Sequence, residues 1–375
     1  MRAQEFLIRE SEKPKVGRAF QHAEDLVIVD GSQGAFHALD QLAAMATTVD
    51  DVTIKWDGSP GIYFGRNDQG EFVLTDKSGF TAKGYNGRVT SATDLANMLL
   101  SRGKTEPTDE RKQFAAAMAS LWDRFENIVS PSFRGFVYGD LLYHSRPPVE
   151  NREFVFTPNT VTYEIPVDSE LGQRIAKSTT GIVVHSYREN AEANENPIRG
   201  SLKGIDSSQE VMVVGPMTVA QVPTIDSSEI KRVKQFVEAH ATEIDTLLDD
   251  QWLASNKLSD FKALLYKFVN QQVPSKNLSQ LDKRFDQWLE SSGVSANKIT
   301  KIQELRQTKP QAFAAVFDTL EMIMKIKDDI IDQLDLASPV KSSIQGQRGG
   351  EGYVKGNIKL VPRTKFTAAN IEKHA

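Results

Sequence analysis

Residues Val52–Arg66 read VTIKWDGSPGIYFGR. β-branched and aromatic residues fill both ends of the stretch, the composition of strands, and D-G-S-P between them is a turn signal. Lys55 stands beside that turn with apolar residues on either side. A lysine near a strand end commonly lays its stem on apolar surface and keeps its head in water. It becomes a nucleophile when burial and neighbouring positive charge hold it deprotonated. Asp57 and Gly58 follow at K-x-D-G spacing, placing a carboxylate where it could orient the amine.

Outward from this stretch the pattern is β-rich. EFVLTDK reads as a further strand, and NDQG before it as a hairpin turn. Upstream, EDLVIVDGSQGAFHALDQLAAMA reads as a short strand, a turn and a helix from about Ser32, with Phe36, Leu39, Leu42 and Ala43 at helical spacing. Downstream, SATDLANMLLSRG opens on a Ser91–Asp94 spacing resembling a capping box. TDERKQFAAAMASLWDRFENI reads as an amphipathic helix, and FRGFVYGDLLYH, REFVFTPNTVTYEI, TTGIVVHSYR and SQEVMVVGPM as strands. From Ser227 to about Leu336 every long segment is helical. A Gly/Ser/Gln linker, SPVKSSIQGQRGGEG, then leads to two strand-like runs, EGYVKGN and IKLVPRTKF. The expected organisation is an α+β core over residues 1–226, a helical insertion module over 227–337, and a linker with final core strands over 338–375.

The 375 residues are 39% hydrophobic and 25% charged, a globular balance. There are no cysteines, which excludes disulfides, thiolate zinc sites and cysteine nucleophiles, and fits a reducing, cytoplasmic compartment. No apolar run has the length of a signal peptide core or a membrane span. The net charge is −5, yet residues 341–375 hold seven Lys/Arg against two Glu, an asymmetry that points to a phosphate-facing surface. The six histidines show no metal-ligand spacing: His185 reads as a core or rim residue, and His22, just before Glu24 and Asp25, as a group that could orient a loop.

If Lys55 attacks a phosphate, a carboxylate must hold a divalent cation and further lysines must neutralise charge. Strand-like runs offer Asp140 in VYGDLLY, Glu351 in GEGYV and Lys359 in NIKLV. In this order the segments resemble the covalent nucleotidyltransferase superfamily of DNA ligases, RNA ligases and mRNA capping enzymes. IKWDG resembles its first motif, whose lysine takes up a nucleoside monophosphate, with Ile54 and Gly58 flanking Lys55 and Asp57 in the nucleotide site. DKSGF resembles the ribose-contacting segment through Lys77. VYGDLLY resembles the third motif, with Asp140 in place of the more usual Glu, and TVTYEI supplies Tyr163 as the base-stacking aromatic. GEGYV resembles the fourth, through Glu351, and NIKLVPRTKF the fifth, through Lys359. Residues ~20–215 and ~349–371 are most similar to a phage branch of ligase-like proteins.

The resemblance implies an antiparallel-sheet nucleotidyltransferase core carrying the helical insertion. It implies ATP as cofactor with Mg²⁺ or Mn²⁺ held by Asp140 and Glu351, Lys55, Asp57 and Lys359 as catalytic residues, and a lysyl-AMP intermediate. Its partner would be a nicked or broken RNA or DNA, joined through 5′-phosphate and 3′-hydroxyl ends by a monomer in the cytoplasm, away from membranes. Thr53 stands where the family's adenine-reading Glu would be, leaving ATP and GTP open. Leu360 and Val361 interrupt the usual K-x-K, so Arg363 or Lys365 would supply the second charge. No OB-type domain is recognisable after Lys359, which favours an RNA-ligase-like design. The alternative is a non-catalytic nucleotide- or nucleic-acid-binding protein on a decayed ligase scaffold.

Overall fold

The computed structural model describes residues 21–46, 52–82, 89–102, 106–198, 201–219, 221–275, 277–338, 340–350, 352–356, 358–369 and 372. The chain divides into two compact units, residues 1–55 with 218–375, and residues 56–217. The fold is mixed α+β, and most strand pairs are antiparallel. Among the described residues no helix is long and apolar enough to cross a membrane.

Along the chain, β1 (Gln21–His22) leads into α1 (Asp25–Ala44) and β2 (Val52–Lys55). Then come β3 (Gly61–Arg66), β4 (Phe72–Asp76), the single turn α2 (Lys77–Phe80), α3 (Ala92–Leu100), α4 (Asp109–Ser120) and α5 (Trp122–Glu126). They are followed by β5 (Gly135–Tyr143), β6 (Val149–Glu150), β7 (Glu153–Phe156), β8 (Thr162–Pro166), α6 (Glu170–Lys177), β9 (Thr180–Arg188), β10 (Asn196–Pro197), β11 (Val211–Val214) and β12 (Met217–Thr218). Seven helices succeed them: α7 (Ser227–Ala239), α8 (Ala241–Leu247), α9 (Asp250–Ser255), α10 (Phe261–Gln272), α11 (Leu281–Ser291), α12 (Ala296–Thr308) and α13 (Pro310–Ala337). The hairpin β13 (Lys341–Ile344) and β14 (Gln347–Arg348) precedes β15 (Gly352–Lys355) and β16 (Ile358–Leu360).

In the unit made from the chain's two ends, β1, β16, β15 and β2 lie side by side. β2 and β16 both run antiparallel to β15, while β1 runs parallel to β16. α7–α13 belong to the same unit. α13 enters on Pro310, whose missing N–H costs nothing at a helix start. Its buried stripe runs through Phe313, Phe317, Leu320, Ile323, Ile326, Ile330 and Leu334 at steps of three and four. Phe313 and Phe317 join Phe268 and Phe285 in an aromatic core.

The expected strand before Ser32 is instead helix. α1 begins at Asp25 and is broken at Asp30–Gly31, where Gly31 adopts φ 60° and ψ −137°. Leu26, Val27 and Ile28 are all buried, so their run has no polar alternation to tell helix from strand. The helix restarts at Ser32, whose N–H and Oγ both donate to Asp245 at 2.7 Å.

In the other unit β10, β9, β5, β3 and β4 form a sheet, and β11 adds parallel to β9. NDQG makes the β3–β4 hairpin, with Gly70 N–H donating to the Asn67 carbonyl at 2.9 Å. One side of the sheet buries Ile62, Phe64, Leu74, Val137 and Ile182 against Leu95, Leu99, Met118, Trp122 and Phe125 of α3–α5. The other side carries Tyr63, Val73, Phe80 and Phe136, with Tyr138 packed against them. β6, β7 and β8 form a separate antiparallel meander.

Candidate functional site

Register places Lys55 and Lys359 together. Lys55 pairs with Gly352, and Val354 pairs with Thr53 on one side and Lys359 on the other. Directly paired residues share a sheet face and alternate residues return to it. Thr53, Lys55, Gly352, Val354 and Lys359 therefore occupy one face, and Val52, Ile54, Tyr353, Lys355, Ile358 and Leu360 the other, where all six are buried. Gly352 leaves the flank of Lys55 without a facing side chain, and the Lys55 ammonium lies 6.0 Å from the centre of the Phe366 ring.

β1 adds His22 to this face by pairing it with Lys359. His22 Nδ1 is buried and has no hydrogen-bond partner. Burial, followed by the charges of Lys359, Arg363, Lys327 and Lys55, holds this imidazole well below the usual histidine range, so it is neutral at pH 7.

Behind His22 lies a sealed ion network. Glu24, with no exposed surface, takes Lys327 Nζ and Arg363 Nε on one oxygen, each at 2.7 Å. Arg363 Nη2 meets both Asp25 oxygens at 2.6 Å, and Nη1 donates to Asn270 at 3.0 Å. Burial alone would raise Glu24, but Lys327 and Arg363 hold it below the ordinary carboxylate value. Burial dominates at Asp25, which is raised. Arg363, expected beside a phosphate, is thus an internal counter-ion at 2% exposure. Lys365 pairs with Asp332 at 2.7 Å. Glu351 lies outside the described residues.

In the unit 56–217, a second group gathers on the sheet side opposite α3–α5. Asp140 takes a hydrogen bond from Tyr138 Oη at 3.0 Å and meets His185 Nε2 at 3.0 Å. A bulge brings His185 there: Ser186 pairs with Tyr138 and Val184 with Gly139, leaving His185 as the extra residue on β9. Such insertions re-aim a side chain beside a site. Lys77 approaches the Tyr138 hydroxyl at 3.5 Å and lies 4.7 Å from its ring centre. A β-carbon on Gly61 would come 2.7 Å from Tyr138 Oη and 3.0 Å from Asp140 Oδ1. One on Gly58 would come 2.7 Å from both Asp140 Cβ and the Leu141 carbonyl. These two glycines make the space in which Asp140 stands.

Asp57 is fixed from behind. Its Oδ1 accepts from Asn159 Nδ2 at 3.0 Å, and its Oδ2 from the N–H groups of Thr160 and Val161 at 2.7 and 3.2 Å. Its own N–H donates to Tyr163 Oη at 2.6 Å. Tyr163 has no exposed surface and packs against Trp56 and Phe156 at 4.7 and 5.5 Å between ring centres. Both residues brace the turn after Lys55, with the Tyr163 ring covered by its neighbours.

Among the described residues no group of three or more His, Asp or Glu side chains gathers as a metal site. Mg²⁺ is commonly held through one or two carboxylates, with phosphate oxygens and water completing its shell. Asp140 fits that limited role, because a carboxylate has about four lone-pair directions.

No curated protein and no solved structure matches the chain. The profile of DUF6267, a family of unknown function, matches residues 18–374, and the chain belongs to that family.

Proposed function

We propose that the protein is an ATP-dependent, RNA-ligase-like nucleotidyltransferase in which Lys55 is the nucleophile. The observation that supports this most is the shared face of Lys55, Lys359 and His22 on β2, β16 and β1. Two ammonium groups beside a neutral imidazole suit a reaction in which one amine attacks and another cation meets phosphate charge. The Lys55 nitrogen bonds to the α-phosphorus, the bond to the bridging oxygen of pyrophosphate breaks, and the amine gives up a proton. Lys359 neutralises charge on the transferring group. In the unit 56–217, Asp140 is a carboxylate that would hold Mg²⁺, an ion that would supply charge neutralisation on phosphate. Lys77 and His185 stand with Tyr138 and Asp140 in that unit, as groups able to meet a phosphate.

The test is chemical. Protein incubated with α-labelled ATP or GTP and Mg²⁺, then denatured, should retain label through a phosphoramidate bond that acid releases. Lys55→Ala should retain none, and Lys55→Arg should fail equally because guanidinium stays protonated. Comparing the two nucleotides decides what Thr53 leaves open. Wild-type protein that takes label from neither nucleotide across pH and metal ion would overturn the reading in favour of a non-catalytic binder.

A further inference from the structure

We propose that the Lys55–Lys359–His22 face binds an oligophosphate with uptake of about one proton, and that His22 is the group that takes it up. The choice of ligand rests on the nucleotidyltransferase reading. The proton coupling rests on the geometry of this face.

His22 is paired in register with Lys359, on the strand next to it. Its Nδ1 is enclosed and unpartnered, a rare state for a buried polar atom in a folded protein. The cations bearing on it come from β2, β16, the segment after β16 and α13. Lys359 is on β16, Arg363 just beyond it, Lys327 on α13 and Lys55 on β2. Glu24 and Asp25 follow two residues after β1, and are held by Lys327 and Arg363. Among these described groups four cations outnumber two carboxylates, so the face stands at positive potential. Burial, and after it that potential, keeps the ring neutral while no anion is present.

An oligophosphate lying along Lys55 and Lys359 reverses the sign of the nearest charge. The cost of a charged imidazole then falls, and the ring takes a proton from solvent or buffer. The imidazolium so formed lies one strand from Lys359 and adds its charge to the face that holds the anion. By linkage, lower pH must tighten binding, since the bound state holds one more proton than the free state.

The test uses the full chain and inorganic tripolyphosphate, with ATP as a second ligand. Calorimetry in buffers of different ionisation heat reads proton uptake, and the ring ¹⁵N shifts of His22, assigned through the backbone, read where the proton goes. The expected result is uptake of about one proton beyond that of the ligand itself, with the His22 ring turning cationic in the complex. His22→Asn should bind more weakly towards low pH and lose this uptake and the associated pH dependence. A His22 ring that stays neutral in the complex, uptake that persists unchanged in His22→Asn, or failure of tripolyphosphate to bind would overturn the proposal. The ring shifts need no variant, so a misfolded His22→Asn does not block the test. Proton-coupled binding without lysyl-nucleotide formation would sink the nucleotidyltransferase reading and leave this inference standing.

Discussion

Replacing Lys327 by Met isolates the sealed network behind His22. Lys327 is 1% exposed on α13 and bonds Glu24, which has no exposure at all, at 2.7 Å. Methionine keeps most of the length of the side chain and removes the charge. Arg363 then faces Glu24 and Asp25 alone, with both carboxylates out of water. Removing one partner of a buried ion pair costs about 3–5 kcal/mol, mostly as the penalty of the stranded charge. Glu24→Gln in the same chain removes that charge and still offers Arg363 an oxygen, so the double variant should recover most of the loss. Urea unfolding of the four proteins, followed by circular dichroism, closes the cycle. The pH dependence has a definite sign. Glu24 sits below its ordinary value in the native fold, so its contribution is present above the unfolded carboxylate pKa and is lost as pH falls through the depressed one. In Lys327→Met burial pushes Glu24 upward, and its deficit should shrink in acid as the carboxyl becomes neutral. A single variant within about 1 kcal/mol of wild type, or a double variant less stable than the single, would refute a coupled buried pair.

Burial pushes Asp328 up to about 6, and its Oδ1 has no partner. A raised native carboxyl destabilises above its own pKa, so Asp328→Asn should stabilise by up to about 3 kcal/mol above pH 6, an advantage that fades towards pH 4 and is read from melts across pH. Asp57→Ala removes the acceptor of three hydrogen bonds in the 159–161 turn, and should cost about 2–4 kcal/mol in the stability of residues 56–217, measured by hydrogen exchange. Gly58→Ala should lose about 1–3 kcal/mol, because the new methyl meets the Leu141 carbonyl, a backbone atom that cannot step aside; unchanged melting would show that β5 yields there.

The hairpin at NDQG and the strands on either side of it were legible, because turn residues and β-branched runs act locally. Ser91 also caps α3 as its spacing suggests, accepting from the Asp94 N–H at 3.1 Å. Asp94, one methylene shorter than Glu, instead accepts from the Ser91 hydroxyl at 2.8 Å and leaves the reciprocal box open. Elsewhere the deciding partner is far away in the chain. The helical start of α1 rests on burial that its apolar run shares with any hidden strand. His185 reads as a core or rim residue, and its partner Asp140 was not legible because the bulge that turns it there depends on how β9 meets β5. Asp57, adjacent to the candidate nucleophile, reads as a catalytic carboxylate, yet its oxygens are bonded to a turn about a hundred residues on. Arg363 reads as a charge beside a phosphate, because the two acids that hold it inside, Glu24 and Asp25, lie far away in the chain.

Those two acids also bear on how the β1, β2, β15 and β16 face is assembled. Lys327 and Glu24 are separated by 303 positions and Arg363 and Asp25 by 338, so neither pair forms until distant parts of the chain have met. Each charge alone would resist burial, and together they permit it. α13 therefore does more than supply apolar surface. It delivers the cation that lets Glu24 sit beside His22, while Arg363, three residues beyond β16, does the same for Asp25. The charge around His22 is thus set partly by groups that solvent scarcely reaches. Burial first, and then the charges of Lys359, Arg363, Lys327 and Lys55, keep His22 neutral, while Arg363 and Lys327 themselves stay buried against Glu24 and Asp25.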